Sequence, residues 1–592
     1  MSHLSRSRIP RSGHGDRIRA SGANQPAPPH RAFRRLGAVF IASWALGTAG
    51  CAALTNMSGS SRDLALTRRA APSSADLGQA RLMFDDFGTL DTYALETVAS
   101  PWKLYSTALL LSTAPELGLP IEHSSIRPVL EHFGFQFPES IGNWDAGAGP
   151  PPHFEEAPLG MTRGTIHGLL PGPSLEVRNN GCATCHSAPL YDARGLPTRT
   201  AWIGLPSVSI DLEAYASSVF AGLKIGMKDE RAFFRTMEHV HPTISWGERF
   251  TYRHFIMPRL RRDLPGIVAA RDRALAFNNG GPGVTNGVAA LKLQLALISK
   301  RDYAPQEMAL TSIPDLSSRA FRSSVLYDGT YVVRGRERFH EVKREDATPA
   351  RAEDLANIIA FFTLGTAGND PPTAERMIPR VREVMHWLAR YEPPPFPGPV
   401  DEALAARGRG VFATRCASCH GHYDESLDRP RLLDYPNRLV SQAYIGTDSV
   451  RWTAVSDTVL HWQATHPTHP FVRHVDAART GGYVPPILNG LWATAPYLHN
   501  GSVPTLWDLL HPEGRPARFE VGGHRLDYQR MGIALERGAD GVWRYPADYT
   551  PRSRSVIYDT SQLGRSNRGH EGPLRAMSEA EKVEVLEYLK RL

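Results

Sequence analysis

Four of the five cysteines in this 592-residue chain fall in two short runs, Cys182-Ala183-Thr184-Cys185-His186 and Cys416-Ala417-Ser418-Cys419-His420. In a C-x-x-C-H run the two thiols can form thioethers with the vinyl groups of a haem, and the adjacent histidine can then ligate the iron. Each run therefore reads as a haem c site, with Cys182, Cys185, Cys416 and Cys419 as attachment points and His186 and His420 as proximal iron ligands. The competing reading is one tetrahedral zinc held by two distant C-x-x-C pairs. Against it, a histidine follows both pairs directly, which zinc does not require, and the chain opens with an export-like segment, which haem c assembly does require. Two covalently bound haems are the expected cofactors; a bound calcium is left open.

The formal charge of +7 belongs to the first fifty residues, which hold eight arginines and one acid, Asp16. The remainder is balanced, so nothing points to nucleic acid or a polyanion as partner. Arg31 to Arg35 form a basic stretch, Leu36–Gly50 is uncharged, and Cys51 follows. This pattern reads as a signal peptide over residues 1–50. Leu46-Gly47-Thr48-Ala49-Gly50-Cys51 resembles a lipoprotein cleavage box, although Thr48 stands where leucine is usual. The expected location is periplasmic or extracellular, with a lipid anchor at Cys51 and an outer-membrane lipoprotein as one form.

The elements that must position the two motifs can be outlined. A mostly α fold is expected, with two cytochrome c-like haem domains, long loops and an N-terminal helical extension. Residues 51–150 read as tether and extension, with helical apolar spacing at Trp102–Leu111. Residues 151–395 form the first haem domain and 396–592 the second, divided at the proline-rich run Pro393–Pro399. Leu355–Phe362 reads as a buried helix. Asp401–Thr414 reads as a helix entering the second motif, with Gly408 for close helix contact and Phe412 for the core. Ser578-Glu579-Ala580-Glu581 is a capping box ahead of Val585, Leu586, Leu589 and Leu592 on one helical face.

The run Pro485-Pro486-Ile487-Leu488-Asn489-Gly490-Leu491-Trp492-Ala493-Thr494-Ala495-Pro496-Tyr497-Leu498-His499-Asn500-Gly501-Ser502-Val503-Pro504-Thr505-Leu506, together with the paired C-x-x-C-H motifs, resembles the bacterial di-haem cytochrome c peroxidase and MauG superfamily over roughly residues 170–592. Within it, Ala417–Tyr423, Ile445-Gly446-Thr447-Asp448 and Ser566-Asn567-Arg568-Gly569-His570-Glu571-Gly572 are similar to the rubber oxygenase-like branch. The resemblance implies His570 as second axial ligand of the C-terminal haem, with Met531 and His499 as competitors, and an N-terminal haem that binds oxygen or peroxide. Gly281-Pro282-Gly283 resembles that branch's turn on the distal side of the first haem, but Val284-Thr285-Asn286-Gly287 follows without the expected aromatic. Phe277, Asn278 and Asn279 are candidates to line that pocket, and Trp246 and Trp492 to relay charge. The expectation is an exported haem-dependent oxidoreductase, peroxidase-like, that takes electrons from a donor protein or small redox cytochrome. The alternatives are an oxygenase cleaving a hydrophobic, polyisoprenoid-like substrate and a non-catalytic electron carrier.

Overall fold

The structure, a computed structural model, describes residues 78–79 and, apart from 146–152, 156, 168–173, 274–279, 298–308, 367–368, 425 and 427–428, residues 100–592. The leader, Cys51 and the pocket candidates Phe277, Asn278 and Asn279 lie outside the described residues. Helices dominate, and the strands form small sheets of two to four members. Among the described residues no helix is long and apolar enough to cross a membrane.

Three apolar cores organise the molecule. The first is built on the helix Trp102–Thr113, whose residues Leu104, Ala108, Leu109 and Leu110 are buried. That helix lies against Leu212–Lys228 so closely that a Cβ on Gly222 would come within 1.7 Å of the Ala108 carbonyl oxygen. The expected N-terminal extension thus shares one core with Val219, Phe220 and Leu223, residues of the expected first haem domain. An antiparallel hairpin, Met161–His167 with Ser174–Asn180, delivers the chain to Gly181 and the first C-x-x-C-H run.

The second core holds the second motif. Asp401 caps the entry helix Glu402–Arg415 through its carboxylate, which accepts from the Ala403 and Leu404 amides. The closing helix Glu579–Leu589 starts at the expected Ser578–Glu581 capping box. The two helices cross with almost no gap: a Cβ on Gly408 would sit 1.9 Å from the Glu584 carbonyl oxygen. Phe412 fills the space beside them, with ring centres 5.9 Å from Tyr423 and 5.2 Å from Tyr588.

The third core gathers Leu355, Ile358, Phe361, Val381 and Met385 with Phe471, Val472 and Val475. Here the expected single helix at Leu355–Phe362 is broken into Ala356–Ile359 and Phe362–Thr366. The Thr363 hydroxyl donates to the Ala360 carbonyl at 2.6 Å and the Phe361 amide reaches Ile358, which tightens the turn between the pieces. Pro393–Pro399 carries no helix or strand. Segments on either side of it nevertheless pair: Tyr331–Val333 with Val475–Ala477, and Val342–Lys343 with Arg431–Tyr435.

Candidate haem-binding sites

The second motif begins where the entry helix ends. The Cys416 amide still bonds to the Phe412 carbonyl, and one further turn, Ala417–His420, places the histidine in the core. The Pro486 carbonyl accepts from Nδ1 of His420 at 2.8 Å. A carbonyl can only accept, so Nδ1 carries the proton and Nε2 keeps its lone pair. Burial, the largest influence, keeps this imidazole neutral.

Facing it is His570. The two ring centres are 6.1 Å apart and the rings lie at 74° to one another. An imidazole bound through nitrogen at about 2 Å puts its ring centre about 3 Å from the metal, so two such rings on opposite sides of one iron stand about 6 Å apart. The observed spacing meets that requirement, and the residues present fit a haem iron. His570 is also neutral, its pKa lowered to about 3 by burial first and the neighbouring His420 second.

The backbone that delivers His570 is over-determined. His570 has φ +73° and Gly569 φ +118°, the left-handed side of the map, where a bulky residue persists only when its surroundings hold it. The His570 amide donates to the Ile445 carbonyl at 2.8 Å. A Cβ on Gly569 would lie 2.6 Å from that of Thr447, so only glycine fits. Arg515 pins the loop from below: one terminal nitrogen donates to the Asn567 and Gly569 carbonyls at 2.5 and 3.0 Å, while the rest of the guanidinium reaches Asp508 and Leu509. Sequence reasoning missed both Pro486 and Arg515; nothing in their local spacing marks them.

The two competing residues are His499 and Met531. The His499 ring meets that of Tyr483 at 4.4 Å with a 33° tilt, accepts or donates at 3.2 Å with its hydroxyl, and meets Tyr327 at 6.5 Å. Met531 is 1% exposed inside the second core.

The first motif forms the short helix Cys182–Cys185, and the His186 amide bonds to the Cys182 carbonyl at 2.9 Å. The His186 ring lies beside Pro314 and Arg319, and burial lowers its pKa to about 4. The Pro314 carbonyl is near this ring but outside hydrogen-bonding geometry, since Nδ1 of His186 is buried without a partner. Among the described residues no second histidine ring is paired with it.

The proline beside each histidine opens the same backbone figure, 172 positions apart. Ser318 and Gly490 have φ +55° and +72°, Leu326 and Leu498 +73° and +65°, Gly329 and Gly501 +63° and +70°. Each copy has a 3₁₀ turn, Arg319–Phe321 or Leu491–Ala493, and then a lone antiparallel bridge, Val325 to Tyr331 or Tyr497 to Val503. This internal repeat escaped sequence reasoning. Pro314, Leu316, Leu326 and Gly329 match Pro486, Leu488, Leu498 and Gly501, but the residues between them differ almost throughout.

The Gly281-Pro282-Gly283 turn, with φ +95° and +70° at its glycines, is tied to the start of the first copy by the Ile313 amide donating to Gly283 at 3.0 Å. Of the two relay candidates, Trp492 is buried between Tyr191 and Phe396, at 6.5 and 5.9 Å, and donates to the Pro394 carbonyl. Trp246 is 74% exposed at the surface, so it is no bridge between the halves. The four motif cysteines form no disulfide with one another, which leaves each available for a thioether. Among the described residues no three His, Cys, Asp or Glu side chains gather as a metal group, so the two thiol pairs do not converge on one zinc.

Residues 482–520, which include Pro486, the second repeat copy and His499, match the model of the family described as RoxA-like, cytochrome c-like. Two curated proteins of Sinorhizobium fredii (strain NBRC 101917 / NGR234) are similar. The uncharacterized protein y4iM is 33% identical over 213 residues, 32% of this chain and 45% of the relative. The uncharacterized protein y4iJ is 29% identical over 261 residues, 34% of this chain and 41% of the relative. The chain therefore spans less than half the length of the curated relatives it matches. A cytochrome c-like domain implies covalently bound haem c, and residues 482–520 of this chain are a segment similar to the cytochrome c-like part of the RoxA-like family.

Proposed function

We propose that this protein is an exported di-haem c-type oxidoreductase, peroxidase-like, in which the two C-x-x-C-H motifs attach one haem each. The observation that carries the reading is the pair of neutral imidazoles, His420 and His570, set 6.1 Å apart across the second motif. His420 and His570 hold the C-terminal haem as an electron-transfer centre, and Pro486 and Arg515 orient them. His186 would hold the N-terminal haem, the oxidant-binding site of this reading. When bound, haem iron supplies one-electron redox chemistry, and an iron with an open position binds a small oxidant.

The chain's own residues do the rest. Burial keeps each imidazole unprotonated, the Pro486 carbonyl fixes one tautomer, and the glycine-rich distal loop gives a histidine rather than solvent to the second site. Electrons come from a small redox cytochrome or other donor protein outside the cytoplasm, and the chain is lipid-anchored through Cys51. The match of residues 482–520 to the RoxA-like model favours a second reading, an oxygenase that cleaves a hydrophobic polyisoprenoid-like substrate with molecular oxygen.

The test begins with a pyridine haemochrome assay and an EPR spectrum of the purified protein. Two haems per chain are expected, one low-spin with two imidazoles and one with a high-spin or exchangeable position. Two saturated low-spin irons would leave only an electron carrier. Peroxide turnover with a reduced cytochrome donor supports the first reading. Oxygen uptake with polyisoprene that yields carbonyl products, without peroxide turnover, replaces it by the second.

A further inference from the structure

One surface is unlike the rest of the molecule. The helix Trp246–Thr251 passes into a π-helical turn, Tyr252–Ile256, before continuing as Met257–Arg273. The wide turn changes the helical phase: Tyr252 and Ile256 stay in the first core at 0% and 3% exposure, whereas Trp246, Phe250 and Phe255 stand in solvent at 74%, 42% and 53%. These rings form one patch. Trp246 stacks on Phe250 at 5.4 Å, and Phe250 meets His254 at 4.6 Å and Phe255 at 6.1 Å. Single exposed aromatics are ordinary; a contiguous aromatic patch on a surface marks an interaction site.

The charge around the patch is equally uneven. Residues 221–263 hold nine basic against five acidic residues, whereas the chain beyond residue 50 is balanced as a whole. Between Trp246 and Asp263 there are five arginines and two acids: Glu248 is buried against Lys103 at 2.7 Å and adds nothing outside, and Asp263 is shared by Arg262 at 2.7 Å and Arg259 at 3.5 Å. Arg253, Arg261 and Arg262 are exposed on the same continuous helical stretch as the rings. Arg249, Arg261 and Arg262 pair with Glu238, Glu230 and Asp263, surface contacts that competing anions readily replace.

We propose that this face docks the protein on an anionic phospholipid bilayer, with Trp246, Phe250 and Phe255 at headgroup depth and the arginines on lipid phosphates. Exposed aromatics flanked by cationic side chains are what adsorption in the interfacial plane requires. Three rings offer a few hundred Å², well below the roughly 1,000 Å² of a stable protein interface. A bilayer needs no such shape match. Docking of this kind is independent of the haem reading, and Trp246, which has no place between the two motifs, acquires a role in it.

The experiment is sedimentation of the haem-loaded chain carrying Cys51→Ser, so that no acyl chain contributes, with vesicles of phosphatidylglycerol and phosphatidylcholine or of phosphatidylcholine alone. Binding to the anionic vesicles at low salt is expected, reduced by high salt, with tryptophan emission quenched by brominated acyl chains. Trp246→Ser with Phe255→Ser should weaken partitioning about tenfold or more, a change of about 1.4 kcal/mol. Arg253→Glu with Arg262→Glu should abolish the preference for anionic lipid. Unaltered haem absorbance in both variants shows that the fold is kept. Equal binding to neutral vesicles, no loss in either variant, or adsorption to a polyisoprene emulsion but not to anionic vesicles would each overturn the proposal.

Discussion

At the scale of single residues, His570 is the side chain on which the second site turns. Its ring faces His420, and its left-handed backbone is held by Ile445, Thr447 and Arg515 rather than by its own preference. His570→Gly should leave both haems attached, since no thiol is touched, yet convert the C-terminal haem to high spin in EPR. Added imidazole should restore the low-spin signal by occupying the vacated side. A low-spin spectrum that persists in the variant without added ligand would refute the assignment. Gly408 permits a separate residue-scale expectation. A side chain there meets the Glu584 carbonyl at 1.9 Å from its Cβ, so Gly408→Val should cost about 1–3 kcal/mol by overpacking, read as a lower denaturant midpoint.

At the scale of elements, the distal loop is only as rigid as its clamp. The Arg515 side chain is buried and donates to four backbone carbonyls, those of Asp508, Leu509, Asn567 and Gly569. Arg515→Ala leaves those carbonyls short of a donor. At about 1.5–3 kcal/mol for each bond to a charged group, the loop should lose its single position. The expected readout is a mixture of low- and high-spin haem that shifts toward low spin on cooling. Arg515→Lys should rescue little, because one ammonium cannot span the same fork of acceptors. A homogeneous low-spin spectrum in Arg515→Ala would show that the loop holds itself.

At the scale of the whole molecule, the first core carries a pH liability. His241 is buried, bonded to the Ser106 hydroxyl at 2.8 Å and set 5.5 Å from the His123 ring, and its pKa is lowered to about 3 by burial first and His123 second. Because its folded pKa lies below the unfolded value of about 6.5, the unfolded chain gains the proton first as pH falls. Stability from this group is complete above that unfolded value and declines toward the folded one. It amounts to about 2 kcal/mol lost by pH 5. Urea midpoints measured from pH 7 to 5 should fall in the native chain and fall less in His241→Gln. Equal slopes in the two would place the acid sensitivity elsewhere.

What the sequence by itself determined was whatever fits within one turn of chain. Each C-x-x-C-H run is complete in five residues, and the helix starts at Asp401 and Ser578 are written by caps that touch only their own first turn. Close packing at Gly408 and Phe412 was legible for the same reason, because a glycine and an aromatic a helical turn apart on one face imply a near neighbour. His570 entered through family resemblance; no local pattern distinguishes it from His499. Only the tertiary structure decided that His420 and His570 face each other, since 150 positions separate them and their approach depends on Ile445, Thr447 and Arg515 holding the loop that carries His570. The same holds for the repeated figure after Pro314 and Pro486. Backbone turns, a 3₁₀ segment and a lone bridge can be kept by many side chains, so the duplication survives in φ angles and hydrogen bonds after most of its residues have diverged.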